Sequence, residues 1–256
     1  LWGGDRHMMN NNRIVLDNIN KIHTTTMGLE RIKKNTSIEG DVINYIKSII
    51  HNSIIYRKGK NYYVHFKNYL FTINAYSYTV ITAKKIKEKK IEFYPITLKS
   101  IDDSSINNLY DIITSENIKK TYMIDDFKTN KEAFEYATFL QTLSYIEDIL
   151  VFGIYYDETL VGLINEVSKN NKEIEVGYCI LPTYQNRGIA TKALQIFIDY
   201  LFGIGYEKVK ASFFEGNIAS QKVMEKCHMV YTGKKEKFEY QKEIKTCICY
   251  EITKNK

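Results

Sequence analysis

The segment of the chain with the clearest chemical pattern is QNRGIA, from Gln185 to Ala190. A glycine turn that opens a helix leaves the first N–H groups of that helix without partners, and the helix dipole makes this end positive. Gly188 lets the backbone approach an anion closely, and the small Ala190 keeps the first turn uncrowded. We therefore expect the N–H groups of Asn186 to Thr191 to hold a diphosphate, with Arg187 adding charge. An ordinary junction of strand, turn and helix is the alternative interpretation.

A strand and a helix must frame this turn if it binds an anion. The run EVGYCIL, which begins at Glu175, is rich in strand-forming residues and ends at Pro182. After the turn, apolar residues recur at helical spacing, and Gly203 and Gly205 stop the helix. The inward-facing residues of this helix are Leu194, Phe197, Ile198 and Leu201.

From Lys90 onward the chain alternates between strand and helix patterns. IEFYPITLK is expected to form one strand, DDSSINNLYDIIT a capped helix, and residues 131–145 a second helix. Two further strands meet at a hairpin turn formed by Asp157 and Glu158. After the anion-binding turn and its helix we expect the strand KVKASFF, a helix capped by Asn217, and late strands near residues 229–237 and 244–252. The order of elements is β-α-α-β-β-β-α-β-α-β-β.

With that order in place, residues 91–256 resemble the GNAT acyltransferase superfamily, in its branch of ribosomal-protein N-acetyltransferases. QNRGIA fits the family pattern Q/R-x-x-G-x-G/A, and NIASQKVMEKCHMV is similar to N-x-x-S-x-x-V-M-E-K-x-G-F. The resemblance implies a mixed sheet with flanking helices and the use of acetyl-CoA. His228 stands where the second pattern has glycine, so this residue is expected to tolerate a positive φ.

The resemblance also implies which residues bind acetyl-CoA. In the family, the fourth and fifth strands part and leave a slot for the thioester, where a backbone N–H stabilises the oxyanion that forms when an amine attacks. Asn217 would cap its helix and reach the pantetheine, and Ser220 would face the coenzyme A arm. The implied cofactor-binding residues are Tyr178, Cys179, Ile180, Asn186, Arg187, Gly188, Ile189, Ala190, Thr191, Asn217 and Ser220.

The attacking amine must lose a proton, because a lysine-like amine has a pKa of about 10. Glu175 is the carboxylate closest to the slot, and we expect it to act as the general base. A salt bridge or a solvent-facing strand position is the alternative for Glu175. Many relatives place a tyrosine acid on the last helix, where this chain has Met224, so the thiolate leaves unassisted or through another group. Cys179 is not expected to accept the acetyl group, since direct transfer is the family norm.

The first part of the chain has a different charge and a different pattern. Residues 1–90 carry 16 basic and 6 acidic side chains, a net +10, whereas residues 91–256 carry 20 and 24, a net −4. Two helices, Asp17–Asn35 and Asp41–His51, and then a short antiparallel sheet with a turn at Arg57–Lys60 are expected. GLERIKKN, RKGKNYYV and INAYSYTVITAKK resemble a small bacterial domain family of uncharacterised function. Basic charge among aromatic residues suits nucleic acid, and a solvated lysine-rich face is the alternative.

We therefore expect three segments: an artificial remnant at residues 1–8, a small basic α+β domain at residues 9–90, and an α+β acetyltransferase domain at residues 91–256. The composition is that of an ordinary soluble protein, with no apolar run near the roughly 20 residues that cross a bilayer. No secretion signal is recognisable, so a cytoplasmic, bacterial protein is expected. The four cysteines form no C-x-x-C pair and the five histidines have no ligand spacing. Reduced thiols and no metal are expected.

Three functions remain open at this point, and the motifs of other enzyme classes, such as P-loops, serine hydrolases and zinc proteases, are missing from the sequence. The first is an acetyl-CoA-dependent N-acetyltransferase acting on a primary amine. The second is an RNA- or protein-binding protein led by residues 9–90, with a catalytically weak acyltransferase fold. The third is a degenerate acyltransferase that serves as a binding module.

The acceptor pocket is expected between residues 114–139 and 231–245, segments that vary freely among acyltransferases. Acidic and aromatic side chains there would suit a cationic amine, such as a polyamine, an aminoglycoside or a protein N-terminus. Solvated charge over a packed core is the alternative. The side chains concerned are Tyr122, Phe127, Phe134, Phe238 and Tyr240, beside Glu116, Asp125, Asp126, Glu132 and Glu236.

Overall fold

The computed structural model of the protein describes residues 6–254, so most of the segment expected to be a remnant lies outside the described residues. These residues form two compact units. One comprises the chain through Glu88 together with Thr138–Ile146, and the other comprises Lys89–Ala137 together with the chain from Glu147 onward. Among the described helices, none is long and apolar enough to cross a membrane.

The N-terminal unit contains a 4-stranded antiparallel sheet and the helices that pack on it. Its helices are α1 (Arg6–Asp17), α2 (Thr26–Thr36) and α3 (Val42–Ile49), and its strands, in sheet order, are β1 (Ile54–Lys58), β2 (Asn61–Phe66), β3 (Tyr69–Asn74) and β4 (Val80–Lys85). The sequence predicted one helix from Asp17 to Asn35, but the first helix ends at Asp17 and the second begins after Thr25. Thr25 ends the irregular segment because its hydroxyl accepts a hydrogen bond from the N–H of Gly28, at 3.1 Å.

The C-terminal unit is built on an 8-stranded sheet with the order β11-β12-β10-β9-β8-β7-β6-β5. All neighbouring strands in it are antiparallel except β9 and β10. The strands are β5 (Lys90–Phe93), β6 (Ile96–Lys99), β7 (Val151–Tyr156), β8 (Thr159–Lys169), β9 (Glu173–Ile180), β10 (Lys208–Phe214), β11 (Val230–Tyr240) and β12 (Glu243–Thr253). The helices are α4 (Ile106–Thr114), α5 (Glu116–Lys119), α6 (Asn130–Tyr145), α7 (Ile189–Gly203) and α8 (Ile218–Lys226), and the part of α6 from Thr138 onward belongs to the N-terminal unit.

The α+β fold class predicted from the sequence is confirmed, and the details differ at one strand. IEFYPITLK is not one strand but the hairpin of β5 and β6. Pro95 lies between them, and its ring and missing N–H are incompatible with a continuous ladder. The predicted turn at Asp157 and Glu158 joins β7 to β8, with φ angles of 44° and 63°. Two consecutive left-handed residues are typical of a tight hairpin turn.

The core of this unit lies between the sheet and helix α7. Ala193, Leu194, Phe197 and Leu201 of α7 are fully buried against alternate residues of the central strands. On β9, Ile174 and Val176 face this core, so Glu175, Gly177 and Cys179 face the opposite side of the sheet. This alternation decides which side chains the two faces of the sheet present to a ligand.

Candidate active site

The two parallel strands at the centre of the larger sheet separate partway along their length. β9 pairs with β10 only from Glu173 with Lys208 to Val176 with Ala211. β9 nevertheless continues to pair with β8 as far as Ile180, and β10 continues to pair with β12 as far as Phe214. Past Val176, therefore, both strands keep their outer neighbours but not each other. A slot opens between them, and backbone groups along it are available to a ligand.

Helix α7 begins directly after this slot with an N-terminus that no side chain of the described chain caps. Its N-cap residue is Gly188, with φ 77°, a left-handed conformation that favours glycine. The first hydrogen bond of the helix runs from the N–H of Lys192 to Gly188 O, at 3.0 Å. The N–H groups of Ile189 to Thr191 therefore have no partner within the helix and carry the positive end of its dipole.

A cavity of about 570 Å³ joins the slot to the start of α7. It is lined by ten of the eleven residues predicted to bind the cofactor. These ten are Tyr178, Cys179, Ile180, Asn186, Gly188, Ile189, Ala190, Thr191, Asn217 and Ser220. The eleventh, Arg187, does not line the cavity, and its guanidinium group lies 5.2 Å from the ring centroid of Tyr184, which does line it.

The cavity also contains residues that the sequence analysis did not single out. Lys222 and Lys226 reach it from α8, and no acidic residue of the described part of the chain lines it, so its described side chains contribute only positive charge. Asn117, Ile118 and Thr121 form another part of the wall. The sequence contains a pattern that would have placed the two lysines at the cavity. Residues 219, 222, 223 and 226 have the spacing of one helical face, which begins two residues after the predicted cap.

Helix α8 is fixed to the edge of the slot by its own cap. Asn217 accepts a hydrogen bond from the N–H of Ser220, at 3.2 Å, and donates one to the Ser220 hydroxyl, at 2.9 Å. The predicted helix cap is therefore present, and both ends of the Asn217 amide group are engaged with Ser220. Tyr178 donates a hydrogen bond to the carbonyl oxygen of Ser220, at 3.3 Å, and burial raises the pKa of Tyr178. A neutral phenol thus connects β9 to α8.

Glu175 does not line the cavity, and its side chain lies on the face of the sheet that points away from α7. Its carboxylate accepts hydrogen bonds from two hydroxyl groups of neighbouring strands, from Ser212 at 3.1 Å and from Ser168 at 3.3 Å. The side chain is partly exposed. Within residues 6–254, Glu175 forms no salt bridge, which was one alternative from the sequence, and two serines hold the carboxylate beside the point where the strands separate.

Comparison with protein families identifies the family to which this chain belongs. Residues 96–230, just over half of the 256 residues, match the family described as acetyltransferase (GNAT) domain. The chain belongs to the GNAT acetyltransferase family. Residues 16–84 match a family described as a protein of unknown function, DUF3781. Both resemblances drawn from the sequence are confirmed, and the protein is an acetyltransferase.

Individual relatives of this GNAT protein are distant in sequence. It is 20% identical over 151 residues to the uncharacterized N-acetyltransferase YoaA of Bacillus subtilis, which covers 57% of this chain and 85% of the relative. The solved Salmonella typhimurium acetyltransferase that modifies the N-terminal serine of ribosomal protein L7/L12 is 15% identical, with a TM-score of 0.55, over 65% of this chain and all of that one. The microcin C7 self-immunity acetyltransferase MccE, solved with acetyl-CoA and AMP, is 19% identical, with a TM-score of 0.55, over 63% of this chain and 93% of that one. These structural likenesses show a shared GNAT fold.

Two departures from the GNAT sequence pattern have a structural account. Met224, where many GNAT relatives have an acidic tyrosine, is 1% exposed and packs in the core, so it takes part in no proton transfer. His228 adopts φ 60°, so this non-glycine residue keeps the left-handed turn that the sequence predicted. The N–H of Met229, the next residue, donates to the carbonyl oxygen of Met224, at 3.0 Å, which closes the end of α8.

The thiol of Cys179 lines the cavity of this GNAT site, but its chemistry is suppressed. Burial raises the pKa of Cys179 to about 12, so the group is a protonated thiol at neutral pH. A thiol in that state is a poor nucleophile. Within residues 6–254, no group of three or more His, Cys, Asp or Glu side chains is arranged to hold a metal ion.

The segments expected to form the acceptor pocket are brought together only in part. Tyr240 of β11 reaches the loop after α5, which carries Tyr122. Phe134 stacks on Tyr110, with ring centroids 4.3 Å apart. Both Phe134 and Phe238, which lies on the edge strand β11, are exposed. Of the acidic residues, Glu116 and Asp126 both form ion pairs with Lys119. Of the residues expected in the acceptor pocket, Tyr122 lies next to the slot, with Cε2 of its ring 3.1 Å from the position of a Cβ atom on Gly177.

Proposed function

We propose that this GNAT protein transfers the acetyl group of acetyl-CoA to a primary amine. The observation that carries the proposal is the uncapped N-terminus of α7, which opens at Gly188 onto a cavity lined by lysines and by no acidic residue. The cavity continues to the slot between β9 and β10. A diphosphate at one end and a thioester at the other match this combination of charge and shape.

Each part of the site has a role in this proposal. Acetyl-CoA supplies an activated acetyl thioester. The N–H groups at the start of α7, together with Lys222 and Lys226, bind its diphosphate. The backbone of Tyr178 to Ile180, no longer paired with β10, orients the pantetheine and the carbonyl group. Glu175 lies on the opposite face, where it takes the proton that the amine loses.

The acceptor is proposed to be a cationic amine, and a protein N-terminus is one candidate among small polyamines and aminoglycosides. The Salmonella relative with the same fold modifies an N-terminal serine. Asp125 and the exposed carboxylates nearby would attract a positively charged acceptor to the loop that carries Tyr122. Which amine is acetylated is decided by experiment.

Binding of acetyl-CoA tests the proposal most directly. Ala190→Glu places a carboxylate against the proposed diphosphate, so it should weaken binding at least 10-fold in isothermal titration calorimetry. Gln195→Glu adds the same charge on the same helix outside the cavity, and it should bind like the wild type. If the wild type shows no heat of binding and no thermal stabilisation at 1 mM acetyl-CoA or coenzyme A, roughly a typical upper limit for such affinities, the proposal is wrong.

Turnover then tests the role of Glu175. Release of coenzyme A is followed with a serine-initiated peptide, spermidine and kanamycin as acceptors. Glu175→Gln should lower kcat about 100-fold for an accepted amine, because general-base catalysis contributes roughly 10²- to 10⁴-fold, and should leave acetyl-CoA binding intact. A kcat within about 3-fold of wild type would show that Glu175 is not the general base.

The N-terminal unit supports a second prediction, that it binds single-stranded RNA. Residues 42–87 contain eight lysines and arginines and no acidic residue. Arg57 lies over the rings of Tyr62 and Tyr76, and Tyr76 is 73% exposed, so cation and aromatic surface occur together. The family match does not favour a function in which this unit replaces acetylation.

Fluorescence anisotropy of the full chain with a labelled 20-nucleotide RNA tests this prediction. Binding should weaken steeply between 50 and 200 mM salt, because phosphate contacts release counterions. Arg57→Ala should weaken it by roughly 3- to 10-fold. The exposed Lys237, on β11, provides the matched control Lys237→Ala. A flat titration at low salt would exclude RNA as a ligand.

A further inference from the structure

A tyrosine outside the acetyl-CoA cavity lies at the point where β9 leaves β10. Gly177 is the first residue of β9 past the last parallel pair, Val176 with Ala211. A Cβ atom on Gly177 would lie 3.1 Å from Cε2 and 3.5 Å from Oη of Tyr122. The missing side chain of Gly177 thus leaves room for the phenol beside the slot. Thr121, the residue before Tyr122, lines the cavity. The same loop therefore contacts both the cavity, through Thr121, and the slot beside Gly177, through Tyr122.

Among the described residues, the hydroxyl group of Tyr122 is held by Asn165. It forms a hydrogen bond with Oδ1 of Asn165, which is 6% exposed on the neighbouring strand β8 and directly opposite Gly177. The amide nitrogen of Asn165 donates to the carbonyl oxygen of Glu166, at 2.7 Å, and this bond fixes which end of the amide faces Tyr122. An amide oxygen only accepts hydrogen bonds, so Tyr122 must be the donor.

This arrangement leaves the phenol oxygen with a defined chemical character. Its hydrogen is committed to Asn165, and its lone pairs remain available to accept a hydrogen bond. Burial raises the pKa of Tyr122 well above 10, so the group stays neutral and does not act as a base. Glu175 lies on the same face of β9, two residues before Gly177, and its carboxylate is also an acceptor. Residues two apart on a strand are roughly 7 Å apart along it, so Tyr122 beside Gly177 and the carboxylate of Glu175 are neighbouring acceptors on this face of β9.

We propose that Tyr122, oriented by Asn165, binds the acceptor substrate by accepting a hydrogen bond from its amine N–H. The inference rests on the proposed function and deepens it, because it assigns a residue to the acceptor side of the same site. A primary amine offers one N–H to Tyr122 and another to Glu175, the latter directly or through one water molecule, and keeps its lone pair for the thioester carbon. An alcohol has a single O–H and satisfies only one of the two acceptors. The pair therefore selects primary amines over hydroxyl groups.

The transfer balances with the groups named. The nitrogen lone pair forms the C–N bond, and the electron pair of the C–S bond leaves with the sulfur of coenzyme A as thiolate. The proton lost from nitrogen goes to Glu175, either directly or through one water molecule. Tyr122 neither gains nor loses a proton, and its hydrogen bond to nitrogen keeps the amine in place during attack. Asn165 touches no reacting atom, so it is a positioning residue.

The test compares Tyr122→Phe, which keeps the ring over Gly177, with the matched control Tyr155→Phe. Tyr155 is 1% exposed on β7 and loses a comparable buried hydrogen bond, to Ser105 at 3.1 Å, away from the slot. With a serine-initiated peptide, spermidine or kanamycin as acceptor, whichever the wild type acetylates fastest, Tyr122→Phe should lower kcat/KM for the amine about 10- to 100-fold. KM for acetyl-CoA should stay within about 2-fold of wild type.

A binding measurement and a double-mutant cycle separate recognition from folding. A bisubstrate conjugate of coenzyme A with the accepted amine should bind Tyr122→Phe about 10-fold more weakly than wild type, whereas coenzyme A alone binds both equally. Asn165→Leu should raise the amine KM in the wild-type background and have no further effect on it in Tyr122→Phe, because Asn165 acts only through the phenol.

The outcomes distinguish this inference from the function on which it rests. Amine kinetics of Tyr122→Phe that match those of wild type and Tyr155→Phe would overturn the role of Tyr122 and leave the acetyltransferase proposal intact. A wild type that binds acetyl-CoA but acetylates none of the three amines would overturn both. Equal, additive losses from Asn165→Leu in the two backgrounds would assign Asn165 to folding instead of positioning.

Discussion

The hydroxyl oxygen of Tyr240 lies 2.8 Å from the carbonyl oxygen of Ile124, although 116 residues separate them. The same oxygen lies 2.9 Å from the carbonyl oxygen of Lys119 and accepts a hydrogen bond from the N–H of Ile124, at 3.3 Å. One buried phenol from β11 therefore joins both ends of the loop that carries Tyr122. The proposed acceptor side of the site is therefore connected to a strand that is distant in sequence and at the edge of the sheet.

Removal of that hydroxyl group should loosen the loop without disturbing the acetyl-CoA cavity. Tyr240→Phe leaves buried backbone groups of Lys119 and Ile124 with fewer partners, which costs about 1–3 kcal/mol of unfolding free energy. It should also raise the amine KM and leave acetyl-CoA binding unchanged. Urea denaturation and steady-state kinetics measure both effects. Tyr231→Phe, whose side chain is 47% exposed, is the control and should change neither.

Two glycines of helix α7 should respond in opposite directions to the same substitution. Gly188 has φ 77°, so Gly188→Ala forces a side chain into the left-handed region at a cost of about 1–2 kcal/mol. A Cβ atom on Gly203 meets nothing within 4 Å and its φ is ordinary, so Gly203→Ala should stabilise the protein by about 0.5 kcal/mol.

Titration calorimetry with coenzyme A distinguishes strain from a binding defect in these variants. Gly188→Ala should bind coenzyme A about 10-fold more weakly, because the turn that presents the N–H groups of α7 must rearrange. Gly203→Ala should keep wild-type affinity. Equal affinity for both variants would show that the turn does not contact the ligand.

The sequence predicted the turn at Gly188 because a glycine before a helical pattern indicates a left-handed turn. It predicted the left-handed His228 only through the resemblance, because the family pattern has glycine at that position. It also predicted the α8 cap at Asn217, since a cap is decided within three residues. The contacts of Tyr122 with Asn165 and of Tyr240 with Ile124 lie beyond such reasoning. They join residues 43 and 116 apart, and only the packing of the completed sheet decides which side chains meet. The fold was thus more predictable than the acceptor half of its site.

The two lysines of α8 should contribute to coenzyme A binding through charge. Lys222→Gln and Lys226→Gln should each weaken binding about 3- to 10-fold at low ionic strength, because each removes a cation from a cavity without acidic residues. The difference from wild type should shrink as salt rises and screens the interaction. Lys237→Gln, on the exposed strand β11, removes the same charge outside the cavity and should bind normally. If the loss of affinity for coenzyme A is the same at every salt concentration, the substitutions act through packing and not through charge.

The thiol of Cys179 should not become acetylated during turnover. With a pKa of about 12, only about one molecule in 10⁴ carries the thiolate at pH 8. Intact-mass spectrometry after rapid mixing with acetyl-CoA should therefore detect no acetylated enzyme, and Cys179→Ala should keep activity within about 3-fold of wild type. Cys249, which is less buried, provides an internal comparison for alkylation by iodoacetamide. A mass increase of one acetyl group that disappears in Cys179→Ala would establish a covalent mechanism instead.

The N-terminal unit should lose stability in mild acid because of His65. This histidine is 5% exposed on β2, and neither ring nitrogen has a hydrogen-bond partner among the described residues. Burial, with a smaller effect from Lys84, lowers its pKa from 6.5 to about 4. The unfolded chain therefore binds a proton at a higher pH than the folded one does. The unfolding free energy should be constant above pH 6.5 and fall by up to about 3 kcal/mol as pH drops to 4.

Hydrogen exchange in β1 to β3, corrected for the intrinsic pH dependence of exchange, measures this local stability. His65→Phe keeps an aromatic ring against Tyr56, whose ring centroid is 5.6 Å away, and removes the titrating group, so protection in these strands should no longer fall between pH 6.5 and 4. The exposed His51, which precedes β1, is the control position, because its replacement leaves the buried ring of His65 in place. His51→Gln should therefore keep the wild-type slope. If His65→Phe keeps it as well, another group is responsible for the acid sensitivity of this unit.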